Sequence, residues 1–232
     1  MTSITIVNQN LRDVVRPNVL PNVLNIGLTG RMGAGKSTFA RLLKEQGAAV
    51  VDMDQISRQI TAKDGLAIAP IREAFGDGMI ESSGALDRGR MRELIVRDAR
   101  AKTQLERITH SIISTEAIRQ AHEAALLNPM CIIYDIPLLV DNHRWLDVLD
   151  GIIVVWCERE VQIARVLQRN PELNREMVEA IINVQAKDQQ LLKIGDVIVD
   201  NSENYTNHLQ ACNQVNILAK YIKNLSLFKL NL

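Results

Sequence analysis

At 232 residues the chain is long enough for one substantial α/β core with inserted lobes, and two independent domains would be cramped. Its 27 Lys plus Arg balance 27 Asp plus Glu, so no global basic field draws nucleic acid or an anionic membrane, and any anion recognition has to be local. No run approaches 18 uninterrupted apolar residues, which excludes a transmembrane helix. Cys131, Cys157 and Cys212 are odd in number and lack C-x-x-C spacing, as expected of reduced thiols in a cytoplasmic protein rather than of a zinc site.

Residues 1–22 carry Asn, Arg, Asp and two prolines where a secretion signal needs an apolar stretch, so they are expected to form a disordered or loosely packed extension. Residues 23–29, VLNIGLT, are an apolar run of strand length. The next eight, GRMGAGKS at 30–37, satisfy the G-x-x-x-x-G-K-[ST] spacing of a phosphate-cradling loop, which chance would produce in a chain of this length with a probability on the order of one per cent. Phe39, Leu42 and Leu43 then recur at helical spacing, giving the strand, loop and helix order that the chemistry requires. Gly30 and Gly35 are expected to turn the backbone with positive φ, so that the N–H groups of Gly33, Ala34, Gly35 and the helix start face the phosphates of a nucleotide. Lys36 would reach the β- and γ-phosphates, the Ser37 hydroxyl would ligate Mg²⁺, and Thr38 would offer its hydroxyl or N–H to the α-phosphate.

A second strand is predicted over 48–52, separated from the first by a helix, which makes a βαβ unit with parallel strands. Further strands are predicted over 130–134, 151–156 and 196–199. Between the second and third, helical patterns dominate at 67–75, 87–97 and 111–127. A second helical insertion at 158–194 holds Arg159, Arg165, Arg169 and Arg175, which read either as a phosphate-covering lid or as a solvated face, with Met177, Ile181 and Val184 as its apolar stripe. A final helix carries Leu209, Cys212, Val215, Ala219 and Ile222. The expected fold is therefore an α/β domain of the P-loop type over 23–225, a five-stranded parallel sheet with helices on both faces. Its core would be 23–56, 128–157 and 195–225, its helical lobe 57–127 and its lid 158–194, with a tail at 226–232.

Which reaction follows depends on motifs beyond the loop. The chain lacks the Asn-Lys-x-Asp element of a GTPase and the Leu-Ser-Gly-Gly-Gln signature of a transporter ATPase, which leaves small-molecule phosphotransfer in front. That reaction needs a carboxylate near the acceptor hydroxyl, and Asp52 and Asp54 stand at the carboxyl end of the second strand, where ligands of open parallel sheets bind. Asp54 is the residue expected to accept or orient the hydroxyl proton, with capping of the following helix as its structural alternative. Asp135, closing the third strand, has the place of the acid that holds Mg²⁺ through water, or is an ordinary turn carboxylate.

The run from Ile26 through the loop to Thr38, followed by Gly47, Val51-Asp52-Met53-Asp54 and Arg58, resembles the dephospho-coenzyme A kinase family. So do Leu86-Asp87-Arg88, Leu105-Glu106-Arg107-Ile108-Thr109-His110, the turn Asp135-Ile136-Pro137-Leu138-Leu139, and then Arg165, Gln168-Arg169, Arg175, Gln185-Ala186 and Asp196-Val197-Ile198. The resemblance spans about residues 25 to 201. It implies transfer of the ATP γ-phosphoryl group to the ribose 3′-hydroxyl of dephospho-CoA with Mg²⁺, in a core with a CoA-binding lobe and a lid. Carried over by position, it makes Asp54 the base, Arg169 a lid arginine at the transferring phosphate, and His110 and Leu138 part of the acceptor site. It further implies a cytoplasmic monomer or small homo-oligomer without nucleic-acid or membrane partners. The chain departs from the family pattern at Ser111, at Asp141 and at 187–191, where KDQQL stands in place of basic residues. Another small-molecule kinase of the same architecture, or a nucleotide-binding module that no longer turns over, are the competing expectations.

Overall fold

The five apolar runs all become strands of one sheet, and a sixth strand joins them from the N-terminal segment. A computed structural model describes residues 4–7, 20, 23–137, 139–141, 143–185, 188–202 and 208–229. The strands are β1 (Ile4–Ile6), β2 (Asn25–Thr29), β3 (Ala49–Asp52), β4 (Ile132–Asp135), β5 (Gly151–Trp156) and β6 (Val197–Asp200), in the spatial order β1-β6-β5-β2-β4-β3. β2 lies parallel to both β4 and β5, and β5 parallel to β6. The extension expected to be loose or disordered instead supplies β1, which runs antiparallel along β6 with Ile4 opposite Val199 and Ile6 opposite Val197. The sheet thus has six strands where five were expected. All five residues of β2 are buried, as the apolar run of a central strand covered on both faces demands.

The helices are α1 (Lys36–Glu45), α2 (Met53–Ile60), α3 (Ile68–Phe75), α4 (Arg88–Arg97), α5 (Ala99–Ala125), α6 (His143–Leu146), α7 (Arg159–Arg169), α8 (Arg175–Val184), α9 (Asp188–Ile194) and α10 (His208–Lys229). Phe39, Leu42 and Leu43 of α1 pack with Val215, Leu218 and Ile222 of α10 against Ile26, Leu28, Ile133, Ile153 and Val155 of the sheet. This burial anchors the helix that starts at Lys36, and so fixes the loop before it. A smaller cluster joins Ile163 and Val166 of α7 to Val178 and Ile182 of α8. The inward face of α8 is therefore not the expected stripe, since Met177, Ile181 and Val184 are exposed.

The chain divides into two compact units, residues 1–51 with 121–232, and residues 52–120. The second is helical, formed by α2, α3, α4 and most of α5. Its helix starts are specified locally: the Asp52 carboxylate accepts from Gln55 N at 2.9 Å, and the Asp87 carboxylate from Arg90 N at 2.9 Å. Asp87, within the Leu86-Asp87-Arg88 element, is thus an N-cap.

Candidate active site

In a parallel sheet the carboxyl ends of neighbouring strands gather loops into one place. Here β2 runs into the loop at 30–35, its neighbour β4 ends in Asp135, β5 is followed by Cys157 and β6 by Asn201. The loop adopts left-handed backbone at Gly33 (φ 80°) and Gly35 (φ 93°), the conformations that require glycine. Gly30 does not take the positive φ expected of it. It is needed instead because a Cβ there would strike the carbonyl oxygen of Val155 on β5.

The N–H groups of Gly33, Gly35, Lys36 and Ser37 find no acceptor among the described residues, whereas those of Ala34 and Thr38 close onto Arg31 O at 3.1 Å and Gly35 O at 3.0 Å. Four donors at a helix start form a nest for an anion. Beside them the Lys36 ammonium is paired with the Asp135 carboxylate, Lys36 being 14% and Asp135 8% exposed. Each charge compensates the other in a mostly dry place, where neither is cheap to leave alone. Ser37 Oγ and Asp135 are hard oxygen donors, and no group of three or more His, Cys, Asp or Glu suited to a metal occurs among the described residues. Two protein oxygens fit Mg²⁺, which is commonly held by one or two protein groups together with substrate phosphates.

The loop is braced from three sides by residues that sequence reasoning missed. The buried Asn201 donates from Nδ2 to Ala34 O at 2.6 Å, its own N–H donates to Trp156 O at 2.7 Å, and its amide lies where a Cβ on Gly35 would have to go. Gln162 of α7 puts its backbone carbonyl within 2.7 Å of where a Cβ on Gly33 would sit, and its Nε2 donates to Cys157 O at 2.9 Å. The Cys157 thiol donates to Gly33 O at 3.8 Å, and burial pushes its pKa up to about 11, so it stays protonated at neutral pH. Asn201 was legible as a polar residue just past a strand's carboxyl end; Gln162 and Cys157 carried no local signal.

The four arginines of 158–194 separate. Arg165 directs Nη1 to Gly33 O at 3.5 Å. Arg175 is taken by Glu160 and Glu179 at 2.7 Å each, as a solvated helical face would be. Arg159 and Arg169 are exposed, at opposite ends of α7. A fifth arginine reaches across: Arg31, inside the loop, donates to Asp188 Oδ1 and to Ile182 O at 2.7 Å each, and Gln185 Oε1 accepts from Met32 N at 3.1 Å. Asp188 belongs to the stretch that departs from the family pattern.

Asp54 and His110 belong to the other compact unit. Asp54 sits exposed in the first turn of α2, two positions after the strand ends, and the cap of that helix is Asp52 rather than Asp54. His110 is exposed on α5. Neither side chain makes a hydrogen bond to another described residue. Leu138, Ala186 and Lys187 lie outside the described residues, while Thr29 Oγ1 donates to Pro137 O at 3.5 Å and ties β2 to the turn before Leu138.

A central strand feeding such a loop, with its lysine paired to the acid that ends the adjacent strand, defines a P-loop nucleotide-binding protein. A family model for dephospho-CoA kinase matches residues 24–207, and the chain belongs to that family. Among curated relatives, the dephospho-CoA kinase of Albidiferax ferrireducens is 45% identical over 77% of this chain and 84% of its own. That of Ralstonia nicotianae is 45% identical over 76% and 88%. Among solved structures, TT1252 from Thermus thermophilus is 26% identical, with a TM-score of 0.65 over 86% of this chain and 98% of that one. Dephospho-CoA kinase from Campylobacter jejuni is similar in fold, with a TM-score of 0.62 at 24% identity over 84% and 96%.

Proposed function

We propose that the chain transfers the γ-phosphoryl group of ATP to the ribose 3′-hydroxyl of dephospho-CoA, releasing CoA and ADP. The Lys36–Asp135 ion pair, beside four backbone donors that find no acceptor among the described residues, carries this reading in a chain of the dephospho-CoA kinase family. On nucleotide binding, the Lys36 ammonium exchanges the Asp135 carboxylate for the β- and γ-phosphates, and the N–H groups of Gly33, Gly35, Lys36 and Ser37 receive phosphate oxygens. The Thr38 hydroxyl serves the α-phosphate, and the Ala34 N–H, turned onto Arg31, keeps the loop's shape. Ser37 and Asp135, the latter through water, would hold Mg²⁺, whose charge offsets that of the transferring group. Asp54 accepts or orients the proton of the acceptor hydroxyl, Arg169 meets the transferring phosphate from the lid, and His110 and Leu138 contact the acceptor. No described helix is long and apolar enough to cross a membrane, and the reading assigns the enzyme to the cytoplasm as a monomer or small homo-oligomer without nucleic-acid partners.

An ADP-release assay against a panel of hydroxyl acceptors tests it. Turnover with dephospho-CoA and Mg·ATP is expected. Turnover on a different acceptor alone would make this another small-molecule kinase, and tight ATP binding without turnover on any acceptor would make it a binding module.

A further inference from the structure

The phosphate-loop motif leaves its second and third positions free, and this chain uses both of them to hold the α7–α9 segment. The Arg31 side chain is only 10% exposed, and two of its nitrogens are spent on that segment: Nη1 on the Asp188 carboxylate at the start of α9, and Nη2 on the Ile182 carbonyl near the end of α8, each at 2.7 Å. Next to it, the Met32 side chain packs against the apolar cluster of α7 and α8, and its N–H is taken by Gln185. We propose that Arg31 is a positioning residue, which with Asp188 latches α8 and α9 onto the phosphate loop and so sets how well the loop is preorganised for ATP. The proposal rests on the kinase reading for its effect on ATP, but not for the latch itself.

Two features make the latch releasable rather than permanent. Asp188 is 41% exposed, so water and salt compete for its charge. The Arg31 Nε–H is buried without an acceptor among the described residues, so the docked arrangement gains less than a full set of hydrogen bonds would give. A guanidinium is suited to this task because its fork addresses a carboxylate and a carbonyl at once, which an ammonium on a flexible stem does not fix in direction.

The test uses the full chain with Asp188→Asn, Asp188→Glu, Arg31→Met and the Arg31→Met/Asp188→Asn double variant. Amide exchange in the nucleotide-free protein is expected to accelerate at least fivefold in α9 for Asp188→Asn, with the β2 and β5 amides unchanged. In turnover, Asp188→Asn is expected to raise KM for ATP about tenfold with kcat within twofold of the parent, Asp188→Glu to stay within twofold on both, and the double variant to be no worse than Arg31→Met alone. Unaltered exchange in α9, multiplying effects in the double variant, or a fall in kcat at constant KM would each overturn the latch. Because exchange is read without substrate, faster exchange in a protein that does not phosphorylate dephospho-CoA would refute the kinase reading while leaving the latch standing.

Discussion

The unit that holds the phosphate loop and the helical unit at 52–120 carry their chemistry in opposite states. In the first, the groups assigned to ATP are braced by the protein itself, Lys36 by Asp135, Ala34 by Asn201 and Gly33 by Arg165 and Cys157, and the adjoining Arg31 is held by Asp188. In the second, the Asp54 and His110 side chains stand exposed without a hydrogen bond among the described residues. Preorganised donors hold transition-state charge well because they need no rearrangement when it develops. A group that handles one proton must instead remain available to its substrate. The contrast predicts that substitutions at the braced groups of the first unit change architecture together with turnover or ATP affinity, and that those at Asp54 and His110 change turnover alone.

The largest effect is expected at Lys36. Lys36→Ala removes the cation proposed for the β- and γ-phosphates and should lower kcat by about a thousandfold, in the range seen when one preorganised donor is lost. It also leaves the nearly buried Asp135 carboxylate without its cation, so the melting temperature should fall along with the rate. Retention of most of the parent kcat would break the donor side of the contrast.

Asp54 comes next. Asp54→Asn should lower kcat by about a hundredfold, the modest end of general-base effects, because a loose phosphoryl-transfer transition state asks little of the base. ATP affinity and melting temperature should stay at parental values, since the carboxylate caps no helix and pairs with no described residue. An unchanged kcat would pass the role to Asp52 or leave catalysis to positioning alone.

The same contrast explains what the sequence made legible. The strands β2 to β6 could be read because buried parallel strands are apolar runs, and the loop because its glycines and lysine have fixed spacing. β1 could not be, because a three-residue strand is defined by the open edge of β6 rather than by its own residues. On α8 two apolar lines lie side by side, Met177 with Ile181 and Val178 with Ile182. Periodicity cannot choose between them; the neighbours Ile163 and Val166 do, by burying the second. The braces around the loop are tertiary contacts, and only Asn201, one step past a strand end, left a trace. The roles of Asp54 and His110, by contrast, rest on sequence alone, since exposed side chains make no contacts that could betray them.

The smallest effect sharpens the contrast from within the segment proposed as a lid. Arg175 resembles a lid cation by its place in the sequence, yet its guanidinium is already divided between Glu160 and Glu179, both on the same surface. Those carboxylates push its already high pKa further up, so it is a cation at every working pH, but one whose charge is locally cancelled. Phosphate-directed work would require two carboxylates to be abandoned for each nucleotide bound. Arg175→Ala is therefore expected to leave kcat and both KM values within twofold of the parent, measured by initial rates at low salt, where exposed charges act most strongly. Arg165→Ala, which removes a contact to the loop itself, should exceed it in effect on KM for ATP. If the two ranked the other way, lid function would follow family position rather than contact with the loop, and the bracing of the donor side would lose its explanatory force.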